Sequence, residues 1–297
     1  MSPLKAIAIP AFALATVAGA DVYEACYSEP DYDRWMYPYN GTPGTRTAGP
    51  TFGGVYESID DRYGQTFFGW VTIDVPIGKP ASSYRITSMS AEISLFNGDE
   101  VIFDNSADLP ATHFADGPVD DPGRPFYLSG AGFRGDFNAT TFGEDGPHPF
   151  GAGAGFRNVY PIGFDENGVM GDISNNLTEG FDVKYFSVGD NPDYTLGEFM
   201  PEVATINFDL DVEDKYISCY LKEALAFGTL DLVLTSLHTG SHDGGSYPQW
   251  VTKDNVLGDP DFGGYAAKLC LEVEVVEPSG VVGDVTGDGQ VSPQRRD

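Results

Sequence analysis

Near the C-terminus, Asp284, Thr286, Asp288, Gln290 and Ser292 put an oxygen-bearing side chain at every second position. That is donor chemistry for a hard divalent cation such as calcium. Gly289 falls where a calcium loop needs its sharp turn, and Val291 where it takes an aliphatic residue. With Asp284 as position 1, Gln290 would offer its backbone carbonyl, while Thr286 and Ser292 reach the ion directly or through water. Position 12, where the ion needs a closing carboxylate, is Arg295. The spacing therefore predicts weak calcium binding at best.

A second constellation, "SLHTGSHDGGSYPQWVTKDN" (236–255), gathers His238, His242, Asp243, Tyr247, Trp250, Lys253 and Asp254 behind an apolar run. Metal or acid/base work by His238 and His242, with Asp243 beside them, needs the two imidazoles to converge. A four-residue spacing achieves that on a helix, whereas Gly240, Gly244 and Gly245 predict a loop. These three residues are the weak catalytic candidates. Tyr247 and Trp250 offer flat apolar faces to sugar rings, or else pack the loop onto the core. The segment "YDRWMYPYNGTPGTR" (32–46) repeats the theme with Tyr32, Trp35, Tyr37 and Tyr39 beside Arg34 and Arg46. Trp250, Tyr247, Trp35 and Tyr37 are the candidate ligand-contact residues. Asp60, Asp61 and Arg62 form either a turn held by an ion pair or part of a cation site.

Motifs of several enzyme classes are missing. There is no Gly-x-Ser-x-Gly elbow, no His-Glu-x-x-His and no phosphate-cradling Gly-x-x-x-x-Gly-Lys. Glycoside hydrolysis needs only two carboxylates at a suitable separation, so the 45 acidic residues leave that reaction open without pointing to it.

The elements that must position these groups read as short strands. With 37 Gly and 21 Pro, the 297 residues are punctuated at short intervals. Between the breaks lie runs rich in β-branched and aromatic residues: 67–75, 84–96, 181–188, 203–212, 229–237 and 265–276. Ile206, Phe208 and Leu210 alternate with Asn207 and Asp209, as in a strand buried on one face. One segment, 212–228, reads as helix, with Tyr216, Tyr220, Ala224 and Phe227 at spacings of three and four and Gly228 as its stop. The expected fold is all-β, an antiparallel jelly-roll-like sandwich with one short covering helix and a C-terminal tail. The stretch 104–180 is rich in Gly, Pro, Asp and Asn. It reads as long loops with short strands, pinned by Phe114, Phe126, Phe133, Phe137, Phe142, Phe150 and Phe156.

Lys5, an apolar run with Pro10, and Ala18-Gly19-Ala20 mark residues 1–20 as a signal peptide. The sandwich would occupy 21–276, with a linker and the partial calcium loop in 277–297. Loss of the leader leaves 15 basic residues against 45 acidic ones, taking the formal charge from −29 to −30. That charge argues against nucleic acid as a partner, and no later run is apolar enough to span a membrane. Cys26, Cys219 and Cys270 allow one disulfide. Cys219 with Cys270 is one option, and a pair using Cys26 is another.

"GDVTGDGQVS" resembles the calcium-loop segment of type I dockerin modules, which bind a cohesin module through two such loops, each followed by a helix. This chain has one loop, no following helical pattern and no second copy. The resemblance therefore implies a calcium-loop origin for Asp284, Thr286, Asp288, Gln290 and Ser292 rather than cohesin docking. The body, through "YRITSMSAEISLF", "LKEALAFGTLDLVLTSLH" and "YPQWVTKDN", is similar to secreted bacterial β-sandwich modules that accompany carbohydrate-active or adhesion proteins. That likeness implies a secreted, non-catalytic module for an extracellular polysaccharide or cell-surface polymer. The alternatives are a polysaccharide-acting hydrolase or lyase, and a cell-surface assembly protein.

Overall fold

The computed structural model describes residues 20–37, 39–53, 63–106, 123–142, 144, 158–174, 184–238, 240, 246–255 and 266–276. Within these, alternating runs become strands that pair antiparallel throughout, in two facing sheets. The first sheet runs β1 (Ala20–Tyr27), β13 (Lys268–Val276), β5 (Tyr84–Leu95), β12 (Gln249–Val251), β3 (Ala48–Pro50), with β10 (Ala204–Asp209) on the other side of β5. The second runs β2 (Tyr32–Met36), β4 (Gln65–Val71), β11 (Thr229–Ser236), β6 (Phe126–Phe133), β7 (Val159–Phe164), β8 (Met170–Asp172). Its short strand β9 (Ser187–Val188) also pairs with β6. The all-β antiparallel sandwich is the fold that the alternation dictates.

In β13 every second residue is buried, so Leu269, Leu271, Val273 and Val275 enter the core while Lys268, Glu272 and Glu274 face out. β10 behaves likewise through Ala204, Ile206 and Phe208. β11 departs from the half-buried expectation, because all eight of its residues are buried. Its inward Leu230, Leu232 and Leu234 join the main core. On the opposite face, Val233 packs with Met36, Phe67, Ala131, Phe142 and Val159. That outer layer comes from the Gly/Pro-rich stretch. Beyond Phe133 at the end of β6, Phe137 and the four-residue helix α1 (Ala139–Phe142) pack over the sheet. Phe114, Phe150 and Phe156 lie outside the described residues. So do the leader through residue 19, Asp60 to Arg62, His242, Asp243 and the whole tail 277–297.

Helix α2 (Lys215–Phe227) begins where Asp214 accepts hydrogen bonds from the amides of Tyr216 and Ile217, and it ends at Gly228 with φ of 96°. It packs against both β11 and β5 and so covers one end of the sandwich. Its buried stripe is Ile217, Ser218, Leu221 and Leu225, one residue on from the expected face, and Phe227 is exposed. Tyr220 and Ala224 of the expected face still pack against the core, only partly buried. Tyr220 donates its hydroxyl to the Asp231 carbonyl at 2.7 Å.

Cys26 and Cys270 are register partners on β1 and β13 and form a disulfide, leaving Cys219 free and exposed on α2. The Cys219–Cys270 option is thereby excluded, since Cys270 is already bonded to its register partner Cys26.

At the other edge the sheets are stitched together by side chains. The Trp35 indole N–H donates to the Pro50 carbonyl at 2.8 Å, and Thr66 Oγ1 donates to the Gly49 carbonyl at 2.6 Å. Thr51 Oγ1 donates to Ser236 Oγ at 3.0 Å. A Cβ at Gly49 would sit 2.4 Å from Thr66 Oγ1, so this approach requires glycine.

Candidate functional site

This stitched edge, where β2 of one sheet meets β3 and β12 of the other, holds both aromatic segments identified in the sequence. Trp35 leaves β2 on the edge, and the chain then turns through Tyr37 and Tyr39. The Trp35 and Tyr37 rings stack with centroids 4.6 Å apart, and Tyr39 meets Tyr37 edge-on at 5.7 Å. Phe52, just beyond β3, packs edge-on to Trp35 and Tyr37 at 6.3 and 5.5 Å. Tyr247, from the segment before β12, reaches the same Phe52 at 4.6 Å. The Arg46 guanidinium lies over the Trp35 ring at 5.1 Å. Trp35 and Phe52 form a buried floor, Tyr37 and Tyr247 are half-buried, and Tyr39 is 43% exposed.

Trp250 does not belong to this surface. It is fully buried between the sheets, edge-on to Phe126 at 5.1 Å, and its indole N–H donates to Thr51 Oγ1 at 2.9 Å. A ring sealed on all sides has no face for a ligand, so Trp250 is a core residue. Trp35, at 8% exposure, supports the cluster from below and presents little surface itself. His238 is enclosed in the same way: it is 6% exposed and stacked on Phe126, with ring centroids 5.5 Å apart. Its apolar side serves packing, which excludes it as a solvent-facing acid or base. His242, Asp243 and the five tail ligands fall on residues outside the description.

The same edge brings Asp254, from the second constellation, together with two acids that the sequence did not mark, Asp33 and Glu144. Asp33 shares a face of β2 with Trp35. Asp33, Glu144 and Asp254 bring carboxylate oxygens within 4.8 Å of one another. Glu144 accepts from the Asp33 amide at 3.2 Å, and Asp33 accepts from the Lys253 amide at 2.7 Å. Burial pushes the Asp33 carboxyl up to about 7, and the nearby charges of Glu144 and Asp254 add to the shift, with the Lys253 amide opposing it. Asp254 Oδ2 is buried without a hydrogen-bond partner.

Three carboxylates could hold calcium in principle, but calcium takes six to eight oxygens. Here the Lys253 ammonium already sits 3.0 Å from Glu144 Oε2 and donates to the Asp31 carbonyl at 2.7 Å. Lys253 fills the electrostatic role a cation would have, so the donor set fits an internal ion pair better than a metal. Glu144 was invisible in the sequence because it lies in the loop-rich stretch, over one hundred residues from Asp33. Asp33, only 1% exposed, is itself closed to a polysaccharide chain.

No protein-family model and no curated protein matches the chain. The functional reading therefore rests on this edge. Among the described residues, no helix is long and apolar enough to cross a membrane.

Proposed function

We propose that the chain is a secreted, non-catalytic module that binds an extracellular glycan or surface polymer. Tyr37, Tyr39 and Tyr247 would be the contact rings, and Arg46 a hydrogen-bond donor beside them. One observation carries this reading: two aromatic segments separated by some two hundred residues meet around Phe52 at one edge of the sandwich. Packing alone would account for the floor of Trp35 and Phe52. It does not require the partly exposed tyrosines that sit upon it. Such rings accept the C–H face of a pyranose while their hydroxyls and the guanidinium serve its oxygens. The tail, with its dockerin-like loop, would add a weak calcium site at Asp284, Thr286, Asp288, Gln290 and Ser292.

Affinity electrophoresis through a panel of soluble polysaccharides, preceded by a glycan array, tests the reading. Retardation by at least one polymer is expected, with Tyr39→Ala and Tyr247→Ala each weakening it by roughly two- to ten-fold. An array without binding, or a Tyr39→Ala/Tyr247→Ala double variant that binds as well as the parent, would refute it. Release of reducing sugar from the same panel would instead favour the hydrolase alternative.

A further inference from the structure

A second concavity lies away from the aromatic edge, where the β7–β8 turn approaches the first turn of α2. It is a cavity of about 640 Å³, large enough for one or two sugar rings. Phe164 and Tyr216 wall it, their rings stacked with centroids 5.9 Å apart at an interplanar angle of 27°. The Tyr216 hydroxyl donates to the Asn167 carbonyl at 2.9 Å, which fixes the ring. Gly168, with φ of 79°, lets the turn lie directly against that ring, where any Cβ would collide with it.

The polar groups of the cavity are unequal in what they have left to offer. Lys184 is engaged by Asp211 at 2.6 Å and by Asp214 at 3.1 Å. Asp214 also caps α2, occupying the position where an anionic ligand would meet the helix N-terminus. Asp165 Oδ1 is committed to the turn amides of Asn167 and Val169 at 2.9 and 2.7 Å. Glu166 and the Asn167 side chain remain exposed at the rim. With Lys184 paired to two carboxylates, Lys215 resting on the Tyr216 ring and the first helix amides capped by Asp214, the cavity favours ligands that donate hydrogen bonds over anions. One group already shows what the aromatic wall accepts: the Lys215 ammonium rests 4.3 Å from the Tyr216 ring centroid.

We propose that this cavity is a binding site for a small saccharide bearing a primary ammonium, an amino sugar. Phe164, stacked between Tyr216 and Phe186, backs the wall; the sugar would rest on Tyr216, with its hydroxyls on Glu166 and Asn167 and its ammonium in the place that Lys215 now takes. Lys215 is then a tethered competitor for the Tyr216 ring. The site is separate from the Tyr37, Tyr39 and Tyr247 cluster, being built on β7–β8 at the far edge of a sheet whose first strand is β2.

The full chain is titrated with glucosamine, N-acetylglucosamine and butylamine by calorimetry and by ligand-observed NMR. Glucosamine is expected to bind with Kd on the order of 1 mM, with both other probes at least about ten-fold weaker. Lys215→Ala should tighten glucosamine binding by about two- to five-fold as the competing ammonium leaves, while Glu166→Gln should weaken it. The Tyr39→Ala/Tyr247→Ala protein should bind glucosamine unchanged, which separates this site from the proposed glycan edge. Absence of saturable glucosamine binding overturns the proposal, as does equal binding of either other probe. So does an unchanged or weakened affinity in Lys215→Ala.

Discussion

Tyr247 and Phe52 meet with ring centroids 4.6 Å apart, and through this contact the segment before β12 joins the aromatic turn that follows β2. Neither segment alone forms a surface that would hold a polymer. The shared Phe52 makes them one, and it lies where β3 is stitched to β4 by the Thr66 to Gly49 hydrogen bond. The proposed contact residues are thus held by a rigid edge rather than by free loops.

Trp250→Ala should act on stability and not on a surface. Removing a fully buried indole and leaving Thr51 Oγ1 without its donor is expected to cost about 3–5 kcal/mol. Urea denaturation checks this: the midpoint should fall sharply, with Trp250→Phe intermediate. A variant as stable as the parent would place Trp250 outside the core.

Asp231 makes a pH-dependent contribution whose sign is fixed by its burial. Its carboxyl accepts from the Tyr32 hydroxyl at 2.9 Å, and burial raises it to about 7, with the hydrogen bonds from Tyr32 and Thr229 pulling the other way. Between about pH 4 and pH 7 the folded chain keeps a proton that the unfolded chain gives up. Stability from this group is therefore full below the unfolded value and is lost as pH rises through 7, by on the order of 1 kcal/mol per pH unit. Asp231→Asn should flatten the pH dependence of the unfolding free energy over that window. Asp33, raised in the same way, contributes equally to both proteins and cancels in the difference.

The cysteines should separate cleanly by chemistry. Cys219 is exposed on α2 and is expected to react with iodoacetamide in the native protein, whereas Cys26 and Cys270 should appear as one linked peptide without reductant. Replacing the pair by serine closes off a cross-link spanning 244 residues and should cost about 2–4 kcal/mol. Peptide mapping that links Cys219 to either partner would contradict the strand register.

Lys253→Ala tests whether lysine serves where a metal might have been expected. Leaving Asp33, Glu144 and Asp254 without their ammonium should lower the melting temperature, by the equivalent of about 1–3 kcal/mol for this partly exposed group. Millimolar calcium should raise the melting temperature of the variant more than that of the parent, because only the variant lacks an internal cation. An equal rise in both would show that calcium binds elsewhere on the chain. Calorimetry on the tail variant Arg295→Glu then identifies that place, since restoring the closing carboxylate should strengthen calcium binding there.

Much of the fold was legible because its signals are local. The alternation in 203–212 and 265–276 marks β10 and β13 one-sided, and Gly228 marks the end of α2, whose start at the Asp214 cap only the structure shows. The phase of α2 was misread because four aromatic and apolar residues at helical spacing look like a buried face whichever way the helix turns. Only the packing against β5 and β11 shows that Ile217, Leu221 and Leu225 take that place. The candidate site was half legible. Aromatic residues in polar loops mark Tyr37 and Tyr247, but the same signal marked Trp250, which the sandwich encloses, as it also encloses His238, the acid/base candidate.

By itself the sequence determined the class of fold, the acidic character, the presence of one possible disulfide and the calcium-like spacing of the tail. These depend on periodicity, composition and residues near one another in the chain. Which cysteines pair, which tryptophan is sealed, and which acids face Lys253 were decided by the tertiary structure. Each depends on strands distant in sequence coming into register, and the register is set by the summed burial of both sheets and by no single residue.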